Sequence, residues 1–168
     1  HNNYSRMTIY LYFRSLTRSY RVVAQTHEQQ NILEEKYGIE SLVIPNGIEI
    51  DPKVPINGPE DREYILWIGR VQREQKHPER LLDIAKELPS LEFKIAGPLD
   101  GDSVYCQNLI EEIEDIDNME YLGFIEPQQV DEIYQKSEVL LNTSDYEGFP
   151  NTFLEAWKYE VPVISMFY

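Results

Sequence analysis

From residue 64 to residue 165 the sequence alternates short apolar runs with longer helical stretches. The apolar runs are YILWIG at 64–69, LEFKIAG at 91–97, a shorter one at 119–122, EVLLNTS at 138–144 and VPVIS at 161–165. They are nearly continuous rather than alternating, which is typical of parallel strands buried on both faces. The intervening segments predict helices at 78–88, 103–114, 127–136 and 150–159. Five strands alternating with such helices predict an α/β fold with a doubly wound parallel sheet.

The chain before this repeat is organised differently. Residues 4–19 predict a helix rich in tyrosine and arginine, a second helix runs from Thr26 to Gly38, and a short strand follows at 41–44. Residues 45–62 hold four prolines and two glycines among charged residues, which predicts a linker. The expected division is therefore 1–44, the linker 45–62 and a sheet domain at 63–168. A doubly wound sheet normally closes with a further strand and helix, so we expect this domain to be incomplete at its C-terminus.

Charge and composition exclude several classes of protein. The net charge is -15, and because residues 1–21 carry four arginines and no acid, the rest of the chain carries -19. A segment with this much negative charge repels the phosphate backbone of nucleic acids, which argues against nucleic acid as a partner. The single cysteine, Cys106, fits a reducing compartment. Without a signal peptide or a long apolar run, the sequence predicts a cytoplasmic location.

The loop after the first sheet strand holds the first candidate site residues. Ligands of doubly wound sheets bind outside the carboxyl ends of the strands. Gly69 lets the backbone turn off its strand, and Arg70 and Lys76 could then reach one shared anion. The alternative is that these are solvated loop cations.

The segment between the fourth strand and its helix holds the second set. Pro150 suits the first helical turn, and Gly148 allows close approach of a ligand to the backbone. Free amides at the helix start favour an anion. Glu147 and Glu155 could face the same crevice and accept hydrogen bonds from sugar or ribose hydroxyls. The alternative is a helix-start carboxylate and a second one on the solvated face of the helix.

Together these segments resemble glycosyltransferase family 4, also called glycosyltransferase group 1, whose enzymes have the two-domain GT-B architecture. The resemblance covers about residues 20–165. It is carried by SLVIPNGI, YILWIGRVQREQKHPERLLDIAKELP, FKIAGP and YLGFIEPQQVDEIYQKSEVLLNTSDYEGFPNTFLEAWKYEVPVIS. It implies that 63–168 is the Rossmann-like C-terminal, nucleotide-sugar-binding domain, and that 1–44 is a remnant of the N-terminal acceptor domain.

The resemblance also implies a role for each candidate residue. Arg70 and Lys76 match the pair that holds the diphosphate of the sugar donor and steadies the leaving group. Glu147 matches the glutamate that contacts the transferred sugar, and Glu155 the one that holds the ribose hydroxyls. The remaining matches are the loop residues Gly148, Phe149, Pro150 and Asn151, the strand-end glycines Gly69 and Gly97, and the stretch beside the nucleobase, Gly123, Phe124 and Ile125.

The implied activity is that of a retaining hexosyltransferase in glycan or surface-polysaccharide synthesis. Its donor would be a UDP- or GDP-linked sugar, with no cofactor and no metal, and its glycan or lipid-linked acceptor would bind through the N-terminal domain. The isolated chain would be inactive; the alternative is a non-catalytic nucleotide-sugar-binding module. A Rossmann oxidoreductase is excluded because no G-x-G-x-x-G follows the first sheet strand.

Two positions depart from the family pattern, and one segment admits two interpretations. His77 stands where the family usually has glycine after the lysine, and we expect it at the surface rather than as a catalytic base. Glu160 stands where a glycine often precedes the last strand. The basic, aromatic helix at 4–19 could contact the inner face of a membrane or pack on the rest of its own domain.

Overall fold

The computed structural model describes residues 6–51, 55–100 and 103–166, and the chain divides into two compact units, His1–Gly47 and Ile48–Tyr168. The first unit contains α1 (Arg6–Leu16), β1 (Val23–Ala24), α2 (His27–Tyr37) and β2 (Leu42–Val43), with the two strands parallel. Thr26 caps α2 by accepting from the Gln29 amide at 3.1 Å. Gly38 ends α2 in the left-handed region with φ of 63°, as the sequence predicted.

The second unit begins with coil and a short 3-10 helix at Pro59–Asp61 and then alternates strands with helices. Its strands are β3 (Tyr64–Ile68), β4 (Phe93–Ala96), β5 (Met119–Gly123), β6 (Ser137–Asn142) and β7 (Val163–Ser165). Its helices are α3 (Arg73–Lys76), α4 (Glu79–Glu87), α5 (Ser103–Glu114), α6 (Pro127–Gln135) and α7 (Asn151–Lys158). The short helix α3 lies where the sequence predicted only a polar loop.

The five strands form one parallel sheet in the order β5-β4-β3-β6-β7, with helices on both faces. Alternate residues of β3 face opposite cores: Trp67 packs with α4 and α5, whereas Leu66 packs with α6 and α7. The predicted doubly wound α/β fold is therefore confirmed. In the parts of the chain that the structure describes, no helix is long and apolar enough to cross a membrane.

The strand order reverses at the centre of this sheet. From β3 the chain passes outward through β4 to β5, and it then returns to place β6 on the other side of β3. Because successive connections leave on opposite sides at such a point, a crevice opens at the carboxyl ends of β3 and β6. The loops after these two strands hold most of the predicted site residues.

Candidate functional site

Lys76, at the end of α3, and Glu147, in the loop after β6, form an ion pair at the strand-order reversal. The Lys76 ammonium contacts Glu147 Oε1, and the two side chains are 23% and 9% exposed. The Ser144 hydroxyl also donates to Glu147 Oε1, at 2.7 Å. The structure therefore brings together two of the residues that the sequence assigned to one site, although they lie 71 positions apart.

Arg70, which directly follows Gly69 at the end of β3, has a different partner. Its Nη1 lies 2.9 Å from Asp100 Oδ2 in the loop after β4, and the two side chains are 64% and 50% exposed. Arg70 and Lys76 therefore contact different carboxylates of the protein. Their predicted binding to one anion of a ligand stays a prediction. An exposed pair of this kind is worth little to stability, so the Arg70 side chain can be recruited by a ligand at small cost.

Backbone and side-chain hydrogen bonds join the β3–α4 connection to the loop after β6. The Trp67 indole donates to Thr143 Oγ1 at 2.8 Å, and that hydroxyl donates to the Lys76 carbonyl at 2.7 Å. Nearby, the Asp145 amide donates to the Gln75 carbonyl at 3.0 Å, and Gln75 Nε2 donates to the carbonyl of the next residue, Tyr146, at 3.0 Å. These bonds fix the backbone on either side of the Lys76–Glu147 pair.

His77 occupies the turn between α3 and α4 with φ of 46°, in the left-handed region. Its ring is 20% exposed, with Nδ1 2.9 Å from Glu79 Oε1 and Nε2 2.9 Å from Asp145 Oδ2. The ring is therefore partly exposed, and it bridges α4 and the loop after β6. Arg80 reinforces this bridge by donating to Asp145 Oδ1 at 2.7 Å.

The two carboxyls around His77 both have lowered pKa values. Hydrogen bonding from Arg80, followed by that from His77, holds the pKa of Asp145 below its usual value. Partial burial opposes ionisation of Glu79, but hydrogen bonds that include those from His77 and Tyr105 outweigh it, so the pKa of Glu79 is also lowered. Both carboxyls are therefore anionic near neutral pH, and Asp145 accepts a charge-assisted hydrogen bond from Arg80.

His77 and Glu160 are the two non-glycine residues with positive φ among residues 6–51, 55–100 and 103–166, at 46° and 56°. Glycine would relieve left-handed strain at either site.

We expect Glu160→Gly to raise the free energy of unfolding by about 0.5–1 kcal/mol, after the entropic cost of glycine is subtracted. We expect His77→Gly to lower it, because the same relief is outweighed by loss of the bridge. Urea titrations of both variants measure this, and shifts of the same sign would contradict the bridging role.

Glu155, five residues into α7, contacts a different element from Glu147. Its Oε2 accepts from the hydroxyl of Tyr134 in α6 at 2.9 Å. The two glutamates therefore hold separate protein partners. The helix α7 begins at Asn151, one residue later than predicted. Pro150 is therefore the N-cap residue rather than part of the first turn, with φ of -65° and ψ of 126°.

The glycines at the ends of β3, β4 and β5 lie side by side. The Gly69 amide donates to the Ala96 carbonyl at 3.0 Å, and the Gly97 amide donates to the Gly123 carbonyl at 2.8 Å. Beyond Gly123, Phe124 is 63% exposed and Ile125 packs against the core beneath α6. Phe124 therefore presents an exposed aromatic ring just after the end of β5, at the position where the family resemblance predicts the nucleobase.

The arrangement suits a ligand that is anionic at one end and rich in hydroxyls at the other. Lys76 and Arg70 supply two cations, the residues around Gly148, Phe149 and Asn151 lead into a helix start, and two carboxylates supply hydrogen-bond acceptors. Among the described residues, no group of three or more His, Cys, Asp or Glu side chains is placed to hold a metal ion.

Sequence reasoning missed the residues that hold the site together. Trp67, Thr143 and Asp145 carried no signal beyond their positions near strand ends. Tyr134 offered one: a tyrosine on the apolar face of a helix that packs against the sheet needs a partner for its hydroxyl once it is buried.

Comparison with known proteins gives a family match across most of the chain. Residues 50–166 match the family model described as "Glycosyl transferases group 1". The amylovoran biosynthesis glycosyltransferase AmsD of Erwinia amylovora is 28% identical over 152 residues, which cover 86% of this chain and 42% of that protein. The lipopolysaccharide 1,6-galactosyltransferase of Escherichia coli K12 is 33% identical over 130 residues, covering 73% of this chain and 35% of that protein.

A solved structure of a glycosyl-transferring enzyme also superposes on the chain. The pneumococcal O-GlcNAc transferase GtfA, determined in complex with UDP and GlcNAc, superposes with a TM-score of 0.65 and 25% identity, over 98% of this chain and 32% of that one. The chain thus spans less than half the length of each of these three proteins.

Proposed function

Because this chain belongs to the group 1 glycosyl transferases, we propose that it is the donor-binding half of a retaining hexosyltransferase. The parent enzyme transfers a sugar from a nucleoside-diphosphate sugar to an acceptor in glycan or surface-polysaccharide synthesis. The observation that carries this proposal is the meeting of Lys76 with Glu147 at the strand-order reversal, where doubly wound sheets bind nucleotides. Assignment to family 4 and to the C-terminal domain of a GT-B enzyme forms part of the proposal.

The proposed chemistry follows from the charge that develops on the leaving group. Breaking the bond between sugar and phosphate leaves a nucleoside diphosphate that carries one more negative charge. Lys76, Arg70 and the amides at the start of α7 stabilise that charge without requiring a metal ion. Glu147 loses its contact with Lys76 when the diphosphate takes the ammonium, and its carboxylate then accepts from hydroxyls of the transferred sugar.

A uridine nucleotide is the favoured donor. The pneumococcal GtfA structure contains UDP and GlcNAc, and the stretch Gly123–Ile125 lies at the strand end where the resemblance expects the base. Phe124 presents an exposed ring there on which a base can stack. The lipid-linked or glycan acceptor and the cytoplasmic location stay predictions from the sequence.

Calorimetric titration of the chain with UDP, GDP and ADP tests donor binding directly. We expect saturable binding of UDP, weaker binding of GDP, and a loss of affinity as salt rises because the grip on the diphosphate is electrostatic. Absence of binding for all three nucleotides would contradict a donor-binding half. If the full-length parent binds UDP-sugars but transfers no sugar to any acceptor or water, the non-catalytic binding module replaces the transferase.

A further inference from the structure

Tyr134 belongs to α6, and its side chain is buried in the core between that helix and the sheet. Its hydroxyl donates to the carboxylate of Glu155, a proposed ligand-binding residue. The side chain is 0% exposed, and the hydroxyl lies 2.9 Å from Glu155 Oε2 in α7. This hydrogen bond connects the interior of the sheet domain to a half-buried residue of α7. The contact plays no part in the chemistry described above.

The ring and the hydroxyl of Tyr134 have separable roles. The ring stacks on Tyr159 with centroids 6.3 Å apart and an interplanar angle of 15°, and it packs in the core with Leu66 and Leu140. Phenylalanine would fill the same space. A buried hydroxyl is costly unless it is hydrogen-bonded, so Glu155 satisfies a group that packing alone does not require.

The hydroxyl can act only as a donor to Glu155. Burial, reinforced by the negative charge of Glu155, raises the pKa of Tyr134 far above its ordinary value, so the phenol stays protonated. An ionised carboxylate has two oxygens that each accept hydrogen bonds, and Tyr134 engages Oε2. The other oxygen, Oε1, can then accept from a ligand while the hydrogen bond from Tyr134 fixes the carboxylate.

We propose that Tyr134 is a positioning residue that fixes Glu155 for recognition of the ribose hydroxyls of the nucleotide. This proposal rests on the proposed function, in which Glu155 holds those hydroxyls. Two features on different helices are combined: α6 supplies a rigid, buried donor, and α7 supplies the carboxylate that meets the ligand. Without the donor, the Glu155 side chain loses its fixed orientation.

The test compares UDP with 2′-deoxy-UDP by calorimetry on the chain and on Tyr134→Phe. We expect the wild type to prefer UDP by about tenfold, and Tyr134→Phe to reduce this preference to about threefold or less. Affinity for 2′-deoxy-UDP should change little, because the diphosphate grip does not involve Tyr134. The ratio of the two affinities is the decisive quantity, since a purely structural role would weaken both nucleotides equally.

Tyr159→Phe is the matched control. The Tyr159 ring stacks on that of Tyr134, but Glu155 accepts from the Tyr134 hydroxyl and not from that of Tyr159, so removing the Tyr159 hydroxyl should preserve the preference for ribose. In a Glu155→Gln background, Tyr134→Phe should produce no further change in the ratio. A Tyr134→Phe variant that keeps the full wild-type ratio overturns the positioning role alone. A wild type that binds neither nucleotide overturns the proposed function as well.

Discussion

Replacing Gly97 by alanine is expected to lower the free energy of unfolding by about 4 kcal/mol or more, which is at the extreme of single substitutions. Gly97 has φ of 132°, a conformation that side chains rarely adopt, and an added Cβ would lie 1.8 Å from the Gly69 carbonyl oxygen. Neither backbone can move away, because both are joined through the hydrogen bonds at the ends of β3 and β4. Urea or thermal unfolding followed by circular dichroism measures the loss.

Two neighbouring glycines provide the controls for this substitution. A Cβ on Gly69 would meet its nearest neighbour at 3.5 Å, an ordinary contact, so Gly69→Ala should cost little stability. Gly123 has φ of 73° but open space around it, so Gly123→Ala should cost about 1–2 kcal/mol of left-handed strain. A Gly97→Ala variant no less stable than Gly123→Ala would show that the close approach at β3 and β4 is not rigid.

Replacing Lys76 by alanine is expected to weaken UDP binding by about 10- to 100-fold, the effect of removing one charge-assisted contact to a phosphate. Lys76 is the partly buried cation at the strand-order reversal, and its carbonyl and side chain are both held by the loop after β6. Arg70→Ala should act in the same direction with a smaller effect, because that side chain is 64% exposed. Calorimetry at constant ionic strength measures both changes.

Two further variants separate the specific contact from net charge. Lys86 lies exposed on α4, so Lys86→Ala removes the same charge away from the crevice and should leave UDP affinity unchanged. Glu147→Gln removes the carboxylate that competes for Lys76 and should preserve or raise the affinity for UDP. If Lys86→Ala weakens UDP as much as Lys76→Ala does, the diphosphate does not bind at Lys76.

The sheet domain could be predicted because its signals are local and repeated. Apolar runs of strand length, each followed by a helical stretch, placed β3 to β7 within two residues of their observed bounds. The helix α3 was missed because its four residues, Arg73–Lys76, carry no hydrophobic periodicity. The strand order was not predicted, because doubly wound sheets occur in more than one order and the apolar runs alone do not distinguish them.

The candidate site was less predictable, because its geometry depends on contacts between distant segments. Spacing and residue type singled out Lys76 and Glu147, but nothing in the sequence assigned Asp100 to Arg70 or Tyr134 to Glu155. The two departures from the family pattern proved informative. Both His77 and Glu160 adopt the backbone conformation that glycine favours, which gives a physical reason for glycine at these positions in relatives.

The separation of Lys76 and Glu147 along the chain has a consequence for how a nucleotide would affect folding. The chain between them includes β4, β5 and β6, so the two side chains meet only when both halves of the sheet have assembled around β3. A ligand that spans them therefore acts as a reversible cross-link between the halves. Its binding energy adds to the cooperativity of the whole domain, and the melting temperature becomes a measure of ligand occupancy.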